Sequence, residues 1–322
     1  AVFNISPAGD ILFRRGKDLT LQGYLATVDM NGEVTRMEAP EATYFYPRVS
    51  PNGRTAAVST ARSGRNEMWL YDLVDGSSSR LVSTEGVTTL GFWSPDGEFL
   101  YFAQGGWSAR GLDRIFVAGG GVPEEVLRDG HDLYPHDCSS DGRWLFINRH
   151  TESTSWDIMV YDLETHPDFP LDPATLEPLV ASPAQEGSPR LSPDGRWLAY
   201  VTFETGNREV YLADFTNPSR RWMISANGGD DPIWDDDSQR VFFLNGERVM
   251  AVDINSGQGG LRPSKPYELF EVAISLRSDI WTYDKIFGRD EFIMVMKSEE
   301  QREPWPGDLV YIQDWRAGWA ER

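Results

Sequence analysis

Three groups of residues combine side-chain types and spacings that could do chemistry. His131, His136 and Cys138 bring imidazole and thiol groups within one short segment, each histidine followed by an aspartate, which suits zinc. Residues 106–110 place Ser108 two positions after a glycine, as the nucleophile of a hydrolase would be. The third group could hold calcium through carboxylate oxygens. It consists of Asp230, Asp231, Asp235, Asp236 and Asp237.

Each group lacks a part that its chemistry needs. The single cysteine excludes intrachain disulfides and sites that need several thiolates. The aspartates lack the spaced loop and distal glutamate of a calcium hand, and Ser108 lacks the second glycine of a nucleophile elbow. We therefore predict no enzyme activity, no metal and no cofactor, and a zinc site near His131 and His136 stays the open alternative.

Composition narrows the class of protein. The 322 residues are 40% hydrophobic and 25% charged, as in a soluble globular protein with a large core. Fifty acidic against 30 basic residues give a net charge of −20, which disfavours nucleic acid as a partner. The sequence contains neither an apolar run long enough for a membrane helix nor a leader peptide, and it opens at Ala1 like a processed product.

A tetrapeptide repeat organises the whole chain. The motif Ser50-Pro51-Asn52-Gly53 recurs along the chain as Ser-Pro-Asp-Gly or a close variant. This is a turn sequence, in which glycine is favoured because its position requires a positive φ. The full and decayed copies begin 43 to 53 residues apart. Their starting positions are 6, 50, 94, 139, 192, 235 and 286.

Apolar and β-branched runs flank each turn. They supply four short strands in about 45 residues, which is typical of a β-propeller blade. The sequence predicts an all-β chain of four-stranded antiparallel blades, with seven blades favoured and six as the alternative. Residues 1–322 form one domain, and we expect a monomer. A strand from residues 1–5 could close the ring, or the two partial end units could share one blade.

The residues around the fifth turn carry a family resemblance. Residues 187–200 and 204–211, followed by 228–234 and 248–252, resemble the repeat of TolB-like β-propellers, and in particular those attached to bacterial serine/threonine protein kinases. The last unit departs from the pattern, because Lys285–Arg289 stands where a Ser-Pro-Asp-Gly turn is expected. Kinase motifs are absent from the sequence, so a kinase would lie outside it.

The resemblance implies a role in binding. It favours a non-enzymatic protein-interaction or ligand-sensing propeller, such as the sensor or scaffold of a bacterial signalling protein, in a periplasmic or extracytoplasmic location with the cytoplasm as alternative. The functional alternative is the accessory propeller of a hydrolase or of a metal-dependent carbohydrate-active enzyme.

Positions just ahead of the turns point to a binding site. Inner strands of a propeller converge on a central channel, where we expect a protein or peptide partner to bind. Arg48 and Arg190 stand two residues before their turns, so both should reach similar depths and could hold a carboxylate, unless ion pairs between blades occupy them. The predicted channel residues are Arg48, His136, Asp137, Arg190, Asp231 and Asp284.

Overall fold

The chain forms an all-β structure. The computed structural model describes residues 3–5, 11–14, 22–62, 65–84, 88–104, 111–152, 154–257, 260–275, 281–299 and 309–312. Within these residues no helix is long and apolar enough to cross a membrane. In chain order the strands are β1 (Phe3–Ile5), β2 (Ile11–Arg14), β3 (Gly23–Asp29), β4 (Val34–Arg36), β5 (Thr43–Val49), β6 (Thr55–Arg62), β7 (Arg65–Asp72), β8 (Ser78–Thr84), β9 (Thr88–Trp93), β10 (Phe99–Gln104), β11 (Gly111–Phe116), β12 (Glu124–Arg128), β13 (Leu133–Cys138), β14 (Trp144–Thr151), β15 (Ser155–Asp162), β16 (Glu177–Val180), β17 (Glu186–Leu191), β18 (Trp197–Thr202), β19 (Glu209–Asp214), β20 (Asn217–Met223), β21 (Asp230–Trp234), β22 (Arg240–Asn245), β23 (Arg248–Gly257), β24 (Gly260–Pro263), β25 (Tyr267–Glu271), β26 (Tyr283–Lys285), β27 (Glu291–Lys297) and β28 (Leu309–Ile312).

Six antiparallel blades make up the propeller among the described residues. Blades 1 to 4 are β5–β8, β9–β12, β13–β16 and β17–β20, each written from the axis outward. Blade 5 contains β21, β22, β23 and β25, and β24 extends β23 as a hairpin. Blade 6 contains β26, β27, β3 and β4. The innermost strands contact one another in the order β5, β9, β13, β17, β21, β26 and back to β5, which closes the ring.

The prediction of seven blades was wrong, and the reason lies in how the ring closes. Strands β26 and β27 come from the last unit and β3 and β4 from the first, so two partial units combine into one blade. Strand β3 pairs with β27 along its whole length, from Asp29 opposite Glu291 to Gly23 opposite Lys297. Residues 1–5 do not close the ring, because β1 pairs with β2, and β2 with β28, in a separate three-stranded sheet. The first turn motif, residues 6–9, lies outside the described residues.

The repeated tetrapeptides form turns of one geometry. In the third copy of the motif, the Ser94 hydroxyl donates to Asp96 Oδ1 at 2.5 Å and accepts the N–H of Phe99 at 2.9 Å, which closes the loop between β9 and β10. Glycine takes φ between 67° and 75° at Gly53, Gly97, Gly142 and Gly195, as predicted. In the decayed copy that begins at Asp235, Ser238 takes the place of this glycine and has a φ of 61°.

The aspartate that ends the third strand of a blade caps the following hairpin. Asp72 Oδ1 accepts the N–H groups of Val74 and Asp75, and Asp162 Oδ1 accepts that of Glu164. The long insertion after His166 lies between β15 and β16, the third and fourth strands of blade 3, and includes a short 3-10 helix at Pro173–Thr175.

Candidate functional site

The six predicted channel residues all lie on innermost strands. Arg48 is on β5, His136 and Asp137 on β13, Arg190 on β17, Asp231 on β21 and Asp284 on β26. Five of the six blades therefore contribute a side chain, and blade 2 contributes none. Their role in binding stays a prediction.

Bulges in the inner strands direct these side chains. The pairing register shifts just before Arg48, Asp137 and Arg190, so the strand turns locally and redirects the next residue. The same bulge carries non-glycine residues at positive φ, with Ser188 at 53° and Asp231 at 50°. Such backbone is costly and persists only where surrounding contacts hold it.

Trp281 is the central residue that sequence reasoning missed as part of the site. The Cζ atoms of Arg48 and Arg190 each lie 4.2 Å from the centroid of its indole, and the His136 ring lies 6.1 Å away. Blades 1 and 4 are opposite in a ring of six, so an indole that contacts arginines from both must stand near the axis. Trp281 is only 3% exposed.

The sequence held little signal for this role. Trp281 stands five residues before its turn. At the same position the other blades carry residues of unrelated types. These are Phe45, Thr89, Tyr134, Gly187 and Asp230. A position without a repeated residue type cannot be recognised from the repeat.

A second regularity runs around the channel at the position two residues before each turn. Starting at blade 6, the residues are Asp284, Arg48, Phe92, Asp137, Arg190 and Ile233. The order aspartate, arginine, apolar residue therefore occurs twice in one circuit. At this position the ring therefore consists of two similar halves, blades 6, 1 and 2 and blades 3, 4 and 5.

Hydrogen bonds between neighbouring blades repeat with the same symmetry. Asp284 Oδ2 accepts the N–H of Val49 at 2.8 Å, and Asp137 Oδ2 accepts the N–H of Leu191 at 2.9 Å. The carbonyl of each arginine accepts an indole N–H from the next blade, at 2.9 Å from Trp93 to Arg48 and 3.0 Å from Trp234 to Arg190. These bonds fix the inner strands relative to one another.

The two arginines differ in what their guanidinium groups contact. Arg48 Nε donates to the carbonyl of Gly91 at 2.7 Å and its Nη1 to that of Pro47 at 3.1 Å. Arg190 Nη1 lies 3.6 Å from Asp137 Oδ1, an ion pair between blades 3 and 4. Its Nε and Nη2 are buried and have no hydrogen-bond partner among the described residues.

Burial dominates the electrostatics of the channel. Burial and the neighbouring Arg190 lower the pKa of Arg48 to about 9, against attraction from Asp284, Asp231 and Asp137. Burial, with Arg190 and Arg48 adding to it, lowers the pKa of His136 well below its usual value. The imidazole is therefore neutral at pH 7.

The pKa values of two channel carboxyl groups, those of Asp137 and Asp231, are raised. Burial raises the pKa of Asp137, although Arg190 opposes the rise. Burial and Asp230 raise the pKa of Asp231 well above its usual value. Burial therefore disfavours the ionised form of these two carboxyl groups, and Arg190 opposes that effect in each.

The candidate metal ligands separate in the fold. The side chain of His131 contacts Asp129, the ring of His136 faces Trp281, and Cys138 Sγ donates to the carbonyl of Trp93 at 3.3 Å. Among the described residues, no three histidine, cysteine or acidic side chains are grouped as a metal site would require.

The aspartate run has a structural role as well. Asp235 Oδ1 lies 3.5 Å from the buried Nζ of Lys285, and Asp237 Oδ1 accepts the N–H of Gln239 at 2.9 Å within the turn. Residues 106–110, with Ser108, lie outside the described part of the chain.

Comparisons with known proteins fit this architecture. No protein-family model matches the chain. An uncharacterized protein of Agrobacterium fabrum is 24% identical over 207 residues, 62% of this chain and 68% of that protein. The Tol-Pal system protein TolB of Xanthomonas campestris is 37% identical over 89 residues, which span 26% of this chain and only 19% of TolB.

Solved structures agree on the fold. A protein provisionally assigned as TolB from Agrobacterium tumefaciens superposes with a TM-score of 0.66 at 17% identity, over 86% of this chain and 98% of that one. TolB of Acinetobacter baumannii gives 0.57 at 18%, over 76% and 64%. A prolyl endopeptidase gives 0.53 at 14%, over 84% of this chain but 42% of the enzyme. Sequence and fold together thus support the resemblance to TolB-like β-propellers, whereas the narrower link to kinase-attached propellers stays a prediction.

Proposed function

We propose that this chain is a non-enzymatic protein-interaction propeller that binds a protein or peptide partner at its channel face. The narrower role, as the sensor or scaffold domain of a bacterial signalling protein, is part of the same proposal and rests on the resemblance to kinase-attached propellers. The supporting relatives are TolB proteins, and the channel of a propeller is a concave site to which several blades contribute side chains.

The observation that carries the proposal is the group of charged side chains around Trp281. Five blades supply arginine, histidine and aspartate side chains to one small region, and Trp281 lies near the axis between them. Hydrogen bonds between blades fix the strands that bear these side chains. A partner that binds there loses little free energy to reorganising the propeller, which favours affinity.

The alternative, an accessory propeller of a hydrolase, is kept because an endopeptidase has a similar fold. At 14% identity this likeness shows the fold alone. Turnover of peptide or ester substrates by the purified chain, lost on a single substitution, would favour the alternative.

Selection from a random peptide library tests the proposal. For each selected peptide, fluorescence anisotropy measures the affinity for the wild type and for the double variant Arg48→Gln/Arg190→Gln. The matched control is Arg220→Gln/Arg221→Gln, on the outer strand β20 of blade 4. We expect the channel variant to weaken binding about tenfold or more, because charged hydrogen bonds contribute about 1.5–3 kcal/mol each, and the control to change it less than about twofold.

Two results would contradict the proposal. One is a set of peptides whose affinity responds to the outer-strand variant and not to the channel variant. The other is the failure of repeated selections to yield any peptide whose binding depends on a channel residue.

A further inference from the structure

The guanidinium of Arg190 has two N–H donors without acceptors in the part of the chain that the structure describes. Nε and Nη2 are both buried, and neither finds a partner among the described residues. These two nitrogens carry parallel N–H bonds along one edge of the planar guanidinium, an edge that can bind a carboxylate through two hydrogen bonds. The unpartnered donors therefore match one ligand chemistry.

Arg48 shows that the fold can satisfy an arginine at this position. The corresponding Nε in blade 1 donates to the Gly91 carbonyl of the next blade. Blade 4 holds an equivalent arginine in an equivalent strand without such an acceptor. Because a buried charged donor without a partner is costly, the difference between the halves calls for an acceptor from outside the described chain.

The charges near Arg190 suit a ligand with a single negative charge. Asp137 Oδ1 lies 3.6 Å from Nη1 and offsets part of the positive charge, which favours a singly charged ligand over a dianion such as phosphate. His136 stands close by with a buried Nδ1 that also lacks a partner among the described residues. A neutral imidazole can donate one hydrogen bond without adding charge.

Trp281 covers this arrangement. Its indole lies against both guanidinium groups, and Arg190 retains only 11% side-chain exposure. The backbone of Trp281 is fixed, because its carbonyl accepts the N–H of Tyr46 at 2.8 Å. Because the backbone is held, displacement of the indole from the arginine requires rotation of the side chain.

We propose that Arg190 and His136 form a carboxylate-binding site in the channel, and that the indole of Trp281 covers the site until a carboxylate-bearing ligand displaces it. The inference rests on the proposed function, since the same channel face receives the ligand, and it adds the chemical group that is recognised. The carboxylate can come from a free organic acid or from a peptide.

Isothermal titration calorimetry with defined probes tests the site. N-acetylglycine and its amide represent a free acid and its neutral counterpart. Acetyl-trialanine, as free acid and as amide, represents the end of a peptide, and an amidated peptide with one internal aspartate represents a side chain. The proteins are the wild type, Trp281→Leu, and Trp281→Leu combined with either Arg190→Gln or the control Arg220→Gln.

The proposal makes three connected predictions. Trp281→Leu binds at least one of the acids about tenfold or more tightly than the wild type, and binds the matching amide no better. Adding Arg190→Gln removes that gain, while adding Arg220→Gln leaves it within about twofold, since Arg220 lies on an exposed outer strand. Which probe responds identifies the source of the carboxylate.

Equal binding of acid and amide, or a gain that survives Arg190→Gln, would overturn the proposal. If Trp281→Leu does not fold, the tryptophan fluorescence of the wild type is measured instead. The proposal then predicts that N-acetylglycine quenches this fluorescence more than its amide does. That difference should vanish in Arg190→Gln, and its absence from the wild type would overturn the proposal equally. Selected peptides that contain no aspartate or glutamate, need the channel arginines and bind equally well as C-terminal acids and amides would leave the proposed function standing and refute only the carboxylate site.

Discussion

Asp137 and Asp284 occupy the same position in opposite blades, and each carboxylate accepts a backbone N–H from the blade that follows, at 2.9 and 2.8 Å. Each bond therefore connects the first two blades of one half of the propeller, blades 6 and 1 in one half and blades 3 and 4 in the other. The two junctions lie on opposite sides of the channel, so they should contribute to stability independently.

Replacing either aspartate by alanine should lower the free energy of unfolding by about 1–3 kcal/mol, because a buried N–H loses its acceptor. Asp137→Ala should cost more, since Arg190 also loses its ion pair. The double variant should equal the sum of the single ones within about 0.5 kcal/mol. Urea unfolding measures all three, with exposed Asp290→Ala as control, and strong non-additivity would contradict the independence of the two junctions.

Substitution of the two channel arginines should change the free energy of unfolding by different amounts, because their contacts differ. Arg48→Gln should cost about 2 kcal/mol, because the carbonyls of Gly91 and Pro47 lose a charged donor. Arg190→Gln should cost less than Arg48→Gln, since it removes two buried donors without partners among the described residues, and what it gives up is the ion pair with Asp137 at 3.6 Å. Thermal and urea unfolding decide the point, and equal losses in both variants would show that the halves are equivalent after all.

Two turn glycines offer a matched test of how tightly blades 6 and 1 pack. Gly53 and Gly195 have φ of 67° and 73°, so alanine is strained at both. A Cβ at Gly53 would also overlap the carbonyl oxygen of Phe287 in blade 6, whereas Gly195 has open space around it. Gly195→Ala should cost about 1 kcal/mol and Gly53→Ala clearly more. Similar losses in urea unfolding would contradict the close approach.

Asp231 should make the stability depend on pH. Burial first, and Asp230 second, raise the pKa of its carboxyl, so the folded chain keeps a proton that the unfolded chain releases near its ordinary pKa of 3.8. The contribution of Asp231 to stability therefore falls as pH rises above that value.

Asparagine at this position removes the titration and tolerates the positive φ as well as aspartate does. Asp231→Asn should match the wild type near pH 4 and exceed it at pH 7 by more than about 0.5 kcal/mol, the usual scatter of surface substitutions. Asp290→Asn, at an exposed position, is the control. A constant difference between Asp231→Asn and the wild type over this range would show that Asp231 ionises normally.

The sequence predicted most of the blade architecture, because turn chemistry is local. Ser94, Asp96 and Gly97 specify their own turn, whatever surrounds them. Blade number could not be counted in this way, since β3 and β27 lie at opposite ends of the sequence and nothing local shows that they pair.

The channel was predicted in part. Arg48 and Arg190 were found from their place relative to the turns, but Trp281 belongs to no repeated position. The difference between the two arginines depends on where the Gly91 carbonyl points, which is a property of the bulged backbone and not of any residue type.

The pairing of β3 with β27 also affects how the protein can be made. A ribosome delivers β3 and β4 before blades 1 to 5 and their partners β26 and β27 after them, so β3 and β4 must wait without an inner neighbour while five blades assemble. Unpaired strand edges are templates for pairing with other chains. Translation that stops before Glu291 would leave two open edges on an otherwise folded arc, and such fragments should depend on chaperones and proteases to keep them from aggregating.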